Sequence, residues 1–228
     1  MSFLVTTTTT MSTNNSSSSS NQLRSYLEII LGPMFSGKSS RLVEIYKQCL
    51  FCNIPVAVIN HSIDKRYDDK LLSTHDKVMI PCIQTSKLKD VWYYGTDNVV
   101  LHSSDNLKTP ESDQVVLHRL DDSCKLIAAD VIIINEGQFF EDLLPAINHM
   151  LQHNKKIYVG GLDGDFERKK FGQILDLIPL CDKVTKMTSL CGICKNGTLG
   201  IFSKRITSEK EQTVVGSNNY IPVCRNCF

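Results

Sequence analysis

The apolar positions of this chain gather in short, dense runs separated by segments with helical spacing. Tyr26–Leu31 (YLEIIL), residues 56–60 (VAVIN), residues 130–135 (DVIIIN) and Lys156–Gly161 (KIYVGG) are each apolar on both alternating sets of positions. Such runs read as strands buried on both faces. Residues 39–51 instead repeat Leu42, Val43, Ile45, Tyr46, Cys49 and Leu50 at three- and four-residue intervals, which predicts an amphipathic helix. Residues 53–55 (NIP) break it. A second helix is expected over residues 142–153, with Leu143, Leu144, Ile147, Met150 and Leu151 on one side. Strand, loop, helix, strand is the order of a parallel βαβ unit. The pattern therefore predicts an α/β fold: a three-layer αβα domain with a parallel sheet over residues 26–186.

Three stretches fall outside this rhythm. Residues 1–25 are rich in Ser, Thr and Asn, with no charge before Arg24. They lack the basic start and apolar centre of a secretory signal and the arginines of a mitochondrial one, and are expected to be a disordered tail. Residues 95–122 mix Asn, Ser, Asp, Thr and Pro with brief apolar pieces, as an inserted loop or small hairpin would. Residues 187–228 shift to cysteine, glycine and short apolar pieces, which suggests a separate small C-terminal domain.

Length and charge narrow the classes of function. The chain has 228 residues and a formal net charge of +1, so no general attraction to nucleic acid or to a membrane surface is built in. No apolar run approaches the length needed to cross a bilayer. The nine cysteines are odd in number and partly paired as CxxC, which favours metal binding in a reducing compartment over a disulfide framework.

Candidate chemistry begins directly after the first strand. Gly32, Pro33, Met34, Phe35, Ser36, Gly37, Lys38 and Ser39 match G-x-x-x-x-G-K-S/T at every fixed position, between a strand and a helix. Such a P-loop turns backbone N–H groups and a helix N-terminus toward phosphate oxygens. Lys38 is expected to reach the β- and γ-phosphates, and the Ser39 hydroxyl to ligate Mg²⁺. Asn135 and Glu136 close the buried strand at 131–135, where an acid often faces the metal. Asn135 can accept a hydrogen bond from a metal-bound water but supplies no charge. Beside a P-loop Glu136 reads as a metal-holding acid or a proton acceptor, with a surface loop carboxylate as the blander alternative.

Cys191, Cys194, Cys224 and Cys227 form two CxxC pairs. Two such knuckles suit a tetrahedral Zn²⁺ site, and closed four-thiolate sites are structural. Cys49 and Cys52 are also CxxC, but at the end of an apolar helix, and read as core or helix-end cysteines. The six histidines form no spaced ligand set.

Taken together the motifs resemble the type II thymidine kinases, a P-loop, zinc-containing family of cellular and large-DNA-virus enzymes. The resemblance rests on GPMFSGKS at 32–39, DKRY at 64–67, THD at 74–76, EGQFF at 136–140, GLDGDF at 161–166, KKFG at 169–172, SKR at 203–205 and the two CxxC pairs. It implies transfer of phosphate from ATP to thymidine with Mg²⁺, in nucleotide salvage for DNA synthesis. It makes Glu136 the proton acceptor, with Lys38 and Arg66 steadying the phosphoryl groups, and sets Asp64 and Asn135 with the P-loop around ATP and Mg²⁺. Met34, Phe139, Leu162, Phe166 and Phe171 would enclose the nucleoside, although taken alone these apolar side chains read as ordinary core. The excursion between the CxxC pairs would be a lasso that reads the base through its main chain, at Gln212, Thr213, Val214, Val215 and Gly216, followed by Tyr220. Zinc would tie the base of that lasso. A homotetramer, feedback inhibition by thymidine triphosphate and a cytoplasmic location are implied in the same way. The one departure is Asn135, where the family has aspartate. Two other readings compete: an ATP-driven nucleic-acid-binding protein with a zinc ribbon, and a phosphate-binding regulator in which Asn135 marks lost catalysis.

Overall fold

The structure, a computed structural model, describes residues 24–64, 71–73, 78–96, 126–214 and 216–228, apart from the side chains of 93–96 and 217. The tail, most of the stretch at 95–122, Arg66, the THD motif and Val215 lie outside these residues.

Strand β1 (Tyr26–Leu31) leads through the 32–37 loop into helix α1 (Lys38–Phe51) and then β2 (Val56–His61). A small antiparallel hairpin, β3 (Leu71–Ser73) and β4 (Met79–Pro81), precedes β5 (Ile83–Thr85) and α2 (Lys89–Thr96). Then come β6 (Val131–Asn135), α3 (Leu143–Gln152), β7 (Lys156–Gly161), a 3-10 stretch at Ile174–Leu180, and β8 (Lys183–Lys186). One sheet runs β5-β2-β6-β7-β1-β8, and every neighbouring pair in it is parallel.

Alternation along the strands divides the core between the two faces of the sheet. Leu27, Ile29 and Leu31 of β1, with Ile132 and Ile134 of β6, pack with Trp92 of α2, Leu143, Ile147 and Met150 of α3, and Ile174 and Leu177. Ile30 of β1, with Val131 and Ile133 of β6, packs with Leu42, Val43 and Ile45 of α1 and with Leu72 and Ile80 of the hairpin. Both faces are covered, so the strands carry apolar residues at successive positions. This is the three-layer α/β arrangement expected from the sequence. The central strands and helices agree with the hydrophobic pattern to within a residue or so at each end. The short β5 and the polar edge strand β8 carry too few apolar positions to stand out.

Beyond β8 the chain forms two small antiparallel pairs. β9 (Ser189–Leu190) pairs with β10 (Leu199–Gly200), and β11 (Phe202–Arg205) pairs with β12 (Tyr220–Val223). Their shared core is made of the four cysteines of the CxxC pairs with Val223, Phe202, Ile221 and Phe228.

Candidate active site

In a parallel sheet the carboxyl ends of the strands open onto one crevice. Here β1 opens onto the 32–37 loop, β2 onto Ile63 and Asp64, β6 onto Glu136, and β7 onto Leu162. These segments line a cleft whose opposite wall comes from the residues between β11 and β12.

The 32–37 loop is shaped by its glycines. Gly37 caps α1 in the left-handed region, with φ of 85°, a conformation that costs a residue with a Cβ. Lys38 Nζ donates to the Pro33 carbonyl at 2.8 Å, so its ammonium stays over its own loop. The Met34 amide donates to Ser203 Oγ of β11 at 2.8 Å, which ties the loop to the C-terminal part. Ser36 Oγ is buried with no hydrogen-bond partner. A buried hydroxyl of this kind is costly unless something satisfies it, and a phosphate oxygen in the loop would. Met34, Phe35, Ser36, Gly37, Lys38 and Ser39 line the cleft, whereas Gly32 and Pro33 do not.

At the end of β6 the two polar residues part company. Asn135 is 2% exposed, does not line the cleft, and donates from Nδ2 to Asn60 Oδ1 at 2.8 Å. Asn60 in turn donates to Gln84 Oε1 at 3.4 Å. Glu136 does line the cleft, with Asp64, Lys38 and Ser39. Its backbone takes φ of 56° and ψ of 40°, a left-handed conformation unusual for glutamate. That bend turns the chain out of the strand into the 3-10 turn at Gly137–Phe139. Gln138 then holds the corner, because its Nε2 donates to Glu136 Oε2 at 2.7 Å while its Oε1 accepts from the Leu162 amide at 3.0 Å.

The apolar wall is built from rings. Phe139 meets Phe171 edge-to-face at 5.4 Å and lies against the buried His61 ring at 5.6 Å. Burial lowers the pKa of His61, and its Nδ1 accepts from the Ile63 amide at 3.1 Å. Gly172, with φ of 60°, follows Phe171; a Cβ there would stand 2.0 Å from the Gln138 carbonyl oxygen. Phe139, Leu162, Phe166 and Phe171 all line the cleft, as do Gln212, Thr213, Val214, Gly216 and Tyr220 from the far wall.

Three residues with no role in the sequence reading hold these walls together. Asp165 is buried; its Oδ1 accepts from the amides of Glu167 and Lys169, and its Oδ2 accepts from Gln212 Nε2 at 2.8 Å. Arg205, also buried, gives its guanidinium to the loop at 209–212. Gln138 is the third. Arg205 lies in the SKR motif, and Asp165 in GLDGDF, so their positions were visible. Hydrophobic patterning carries no signal that a lone charge will be buried.

The four cysteines of the CxxC pairs converge, with all sulfurs within 4.8 Å of one another. A tetrahedral Zn²⁺ with bonds of about 2.3 Å would set its sulfurs about 3.8 Å apart; Cys194 Sγ lies 3.3 Å from Cys227 Sγ and 3.7 Å from Cys224 Sγ. The Cys194 amide is the chief cause that lowers the Cys191 thiol to about 6, whereas shared hydrogen bonds with Cys227 and Cys224 raise Cys194 to about 12. Four thiolates cannot share this space without a cation, and the donor set fits zinc. Cys49 is buried at the end of α1 and Cys52 is exposed beside it; neither belongs to this cluster. Among the described residues no helix is long and apolar enough to cross a membrane.

The family model described as thymidine kinase matches residues 25–98 and 89–228. The thymidine kinase of Yaba monkey tumor virus is 36% identical over 209 residues, which are 91% of this chain and 97% of that protein. Thymidine kinase 1 of Dictyostelium discoideum is 32% identical over 212 residues, 91% of this chain and 79% of that protein. The cytosolic thymidine kinase of Bos taurus is 33% identical over 209 residues, 91% of this chain and 74% of that protein. The chain belongs to the thymidine kinase family, whose reaction is phosphoryl transfer from a nucleotide donor to thymidine.

Proposed function

We propose that ATP and thymidine meet in the cleft at the carboxyl ends of the sheet, with Glu136 taking the proton of the 5′-hydroxyl. The observation that carries this reading is convergence. Lys38, Ser39, Asp64, Glu136, Phe166 and Gln212 come from five separate segments and line one cleft. The 32–39 loop would receive the phosphates on its backbone N–H groups, with Lys38 moving from the Pro33 carbonyl to the β- and γ-phosphates and Ser36 Oγ gaining the partner it lacks. Glu136 stands on the same floor, where the bend at its own backbone and the bond from Gln138 fix its carboxylate. A carboxylate so held can accept a proton as the hydroxyl oxygen attacks. Orientation of the two substrates supplies much of the remaining acceleration.

Ser39, Asp64 and Asn135 are the side chains that would hold Mg²⁺, directly or through water. Their oxygen donors suit a hard cation. When bound, Mg²⁺ neutralises phosphate charge. Asn135 is already engaged with Asn60, so its share is the smallest. Arg66 keeps the phosphate-steadying role that the family motif gives it, and Val215 the main-chain role. Phe139, Leu162, Phe166, Phe171 and Met34 would enclose the base, which residues 212–214 and 216 would read from above. In this reading the C-terminal region from residue 187 is a unit of its own whose zinc is structural. A homotetramer, feedback by thymidine triphosphate and a cytoplasmic setting complete the proposal through family resemblance.

The test is transfer of labelled γ-phosphate from ATP across a panel of nucleosides. Preference for thymidine, abolished by chelating Mg²⁺, is the expected result. ATP hydrolysis that needs nucleic acid and ignores thymidine would overturn it.

A further inference from the structure

We propose that Arg205 is the positioning residue for the nucleoside: its guanidinium sets the backbone of the 209–214 loop and the ring of Phe166. The proposal rests on the reading of the cleft given above and deepens it. Arginine carries five N–H donors in a rigid planar fork. All four on the terminal nitrogens are used here. Nη1 donates to the carbonyls of Glu209 at 2.9 Å and Glu211 at 2.6 Å. Nη2 donates to the Gln212 carbonyl at 3.1 Å and to the Tyr220 hydroxyl at 2.6 Å. That hydroxyl passes the constraint on, donating to the Val214 carbonyl at 3.0 Å.

One side chain thus fixes four carbonyls of the loop, three directly and one through Tyr220. The guanidinium also lies 3.8 Å from the Phe166 ring centroid and 5.2 Å from that of Tyr220. Both rings line the cleft. Burial is the second observation. Arg205 is 8% exposed, and Nε is buried with no hydrogen-bond partner. Among the described residues no carboxylate is within ion-pair distance. A buried cation held by carbonyls, one hydroxyl and ring faces, with no ion pair, is an expensive way to fill space. A single ammonium could not span the same oxygens, so the arrangement requires the fork. Asp165 also meets the loop, through Gln212 Nε2, which leaves Arg205 to set the backbone and Asp165 to hold one side chain.

The experiment compares the full-length protein with Arg205→Lys and Arg205→Ala. Lysine keeps the charge and loses the fork. The KM for thymidine should rise about 10- to 100-fold in both variants, as expected for several lost charge-assisted hydrogen bonds. The KM for ATP should stay within about twofold and kcat fall less than about tenfold. Zinc content should remain at the natural value. A glutamate-specific protease should cut the exposed Glu209 and Glu211 faster in the variants, and thymidine should no longer slow that cutting. A thymidine KM within about twofold of natural in both variants, a parallel rise for ATP, or zinc loss in both would assign Arg205 to the general fold and overturn the proposal. If the natural protein itself transfers no phosphate to thymidine, the reading of the cleft fails instead; the protease result, which needs no turnover, still decides the role of Arg205.

Discussion

Replacing Asn135 by aspartate would put an acid into a site arranged for an amide. Asn135 donates to Asn60, Asn60 donates to Gln84, and Gln84 Nε2 reaches Cys82 Sγ at 3.6 Å. Asn60 is 1% exposed and Asn135 2%. Aspartate has no N–H to give, so an oxygen would face the Asn60 oxygen. Relief requires Asn60 to turn its amide, then Gln84 to turn its own, which sets Gln84 Oε1 in place of Nε2 against Cys82. A buried charge still remains. Leaving one buried polar group poorly satisfied costs about 1–3 kcal/mol, and more when charged. For a protein of this size each kcal/mol shifts the unfolding midpoint by about 2–4 °C, so a fall of about 2–12 °C is expected for Asn135→Asp without metal. Mg²⁺ with nucleotide should recover more of that loss than it adds to the natural protein, because the new carboxylate gains a counter-charge. Turnover of the variant should saturate at lower Mg²⁺. The assays are thermal unfolding with and without Mg²⁺–nucleotide, and turnover against Mg²⁺. Equal midpoints without metal together with superimposable Mg²⁺ curves would refute both the relay and the place of Asn135 near the cation.

Two further outcomes follow from sites outside the cleft lining. Stripping zinc with a chelator should loosen the CxxC pairs and with them the loop at 206–216, so thymidine binding should disappear while ATP still binds the 32–39 loop; calorimetry that finds thymidine binding intact without zinc would contradict this. Glu28 gives a pH-dependent test. Burial alone would raise its carboxyl, but hydrogen bonds from Thr185, Lys183 and Tyr26 outweigh it and hold the pKa below the ordinary value. A depressed folded pKa adds stability above the unfolded value, about 4.3, and that stability is lost as pH falls through the folded value. Glu28→Gln should therefore be less stable than the natural protein at pH 7, with the gap closing toward pH 3. A gap that does not change with pH would exclude the mechanism.

The central strands, α1 and α3 were legible because burial on both sheet faces demands long apolar runs, and a covered helix demands three- and four-residue spacing. β8 carries no apolar signal because KVTK is a polar edge strand, and β5 none because three residues carry no period. The 32–39 loop was legible because its chemistry is local: glycine, lysine and serine sit at fixed spacing. Asn135 was readable as a departure, but its partner Asn60 was not, since strand register and not sequence distance sets them side by side. Arg205 and Asp165 show the same limit. Their partners are backbone groups of a loop, and no side-chain pattern announces them.

In the proposed reaction Glu136 takes the proton of thymidine in phosphoryl transfer from ATP. The most direct test of that step is single-turnover transfer by Glu136→Gln with both substrates saturating, beside thymidine binding measured on the same protein. Glutamine keeps the shape and can still meet Gln138 but cannot accept a proton. The expected rate is lower by about 10²- to 10⁴-fold with thymidine affinity nearly unchanged. A rate equal to that of the natural protein would contradict this role of Glu136.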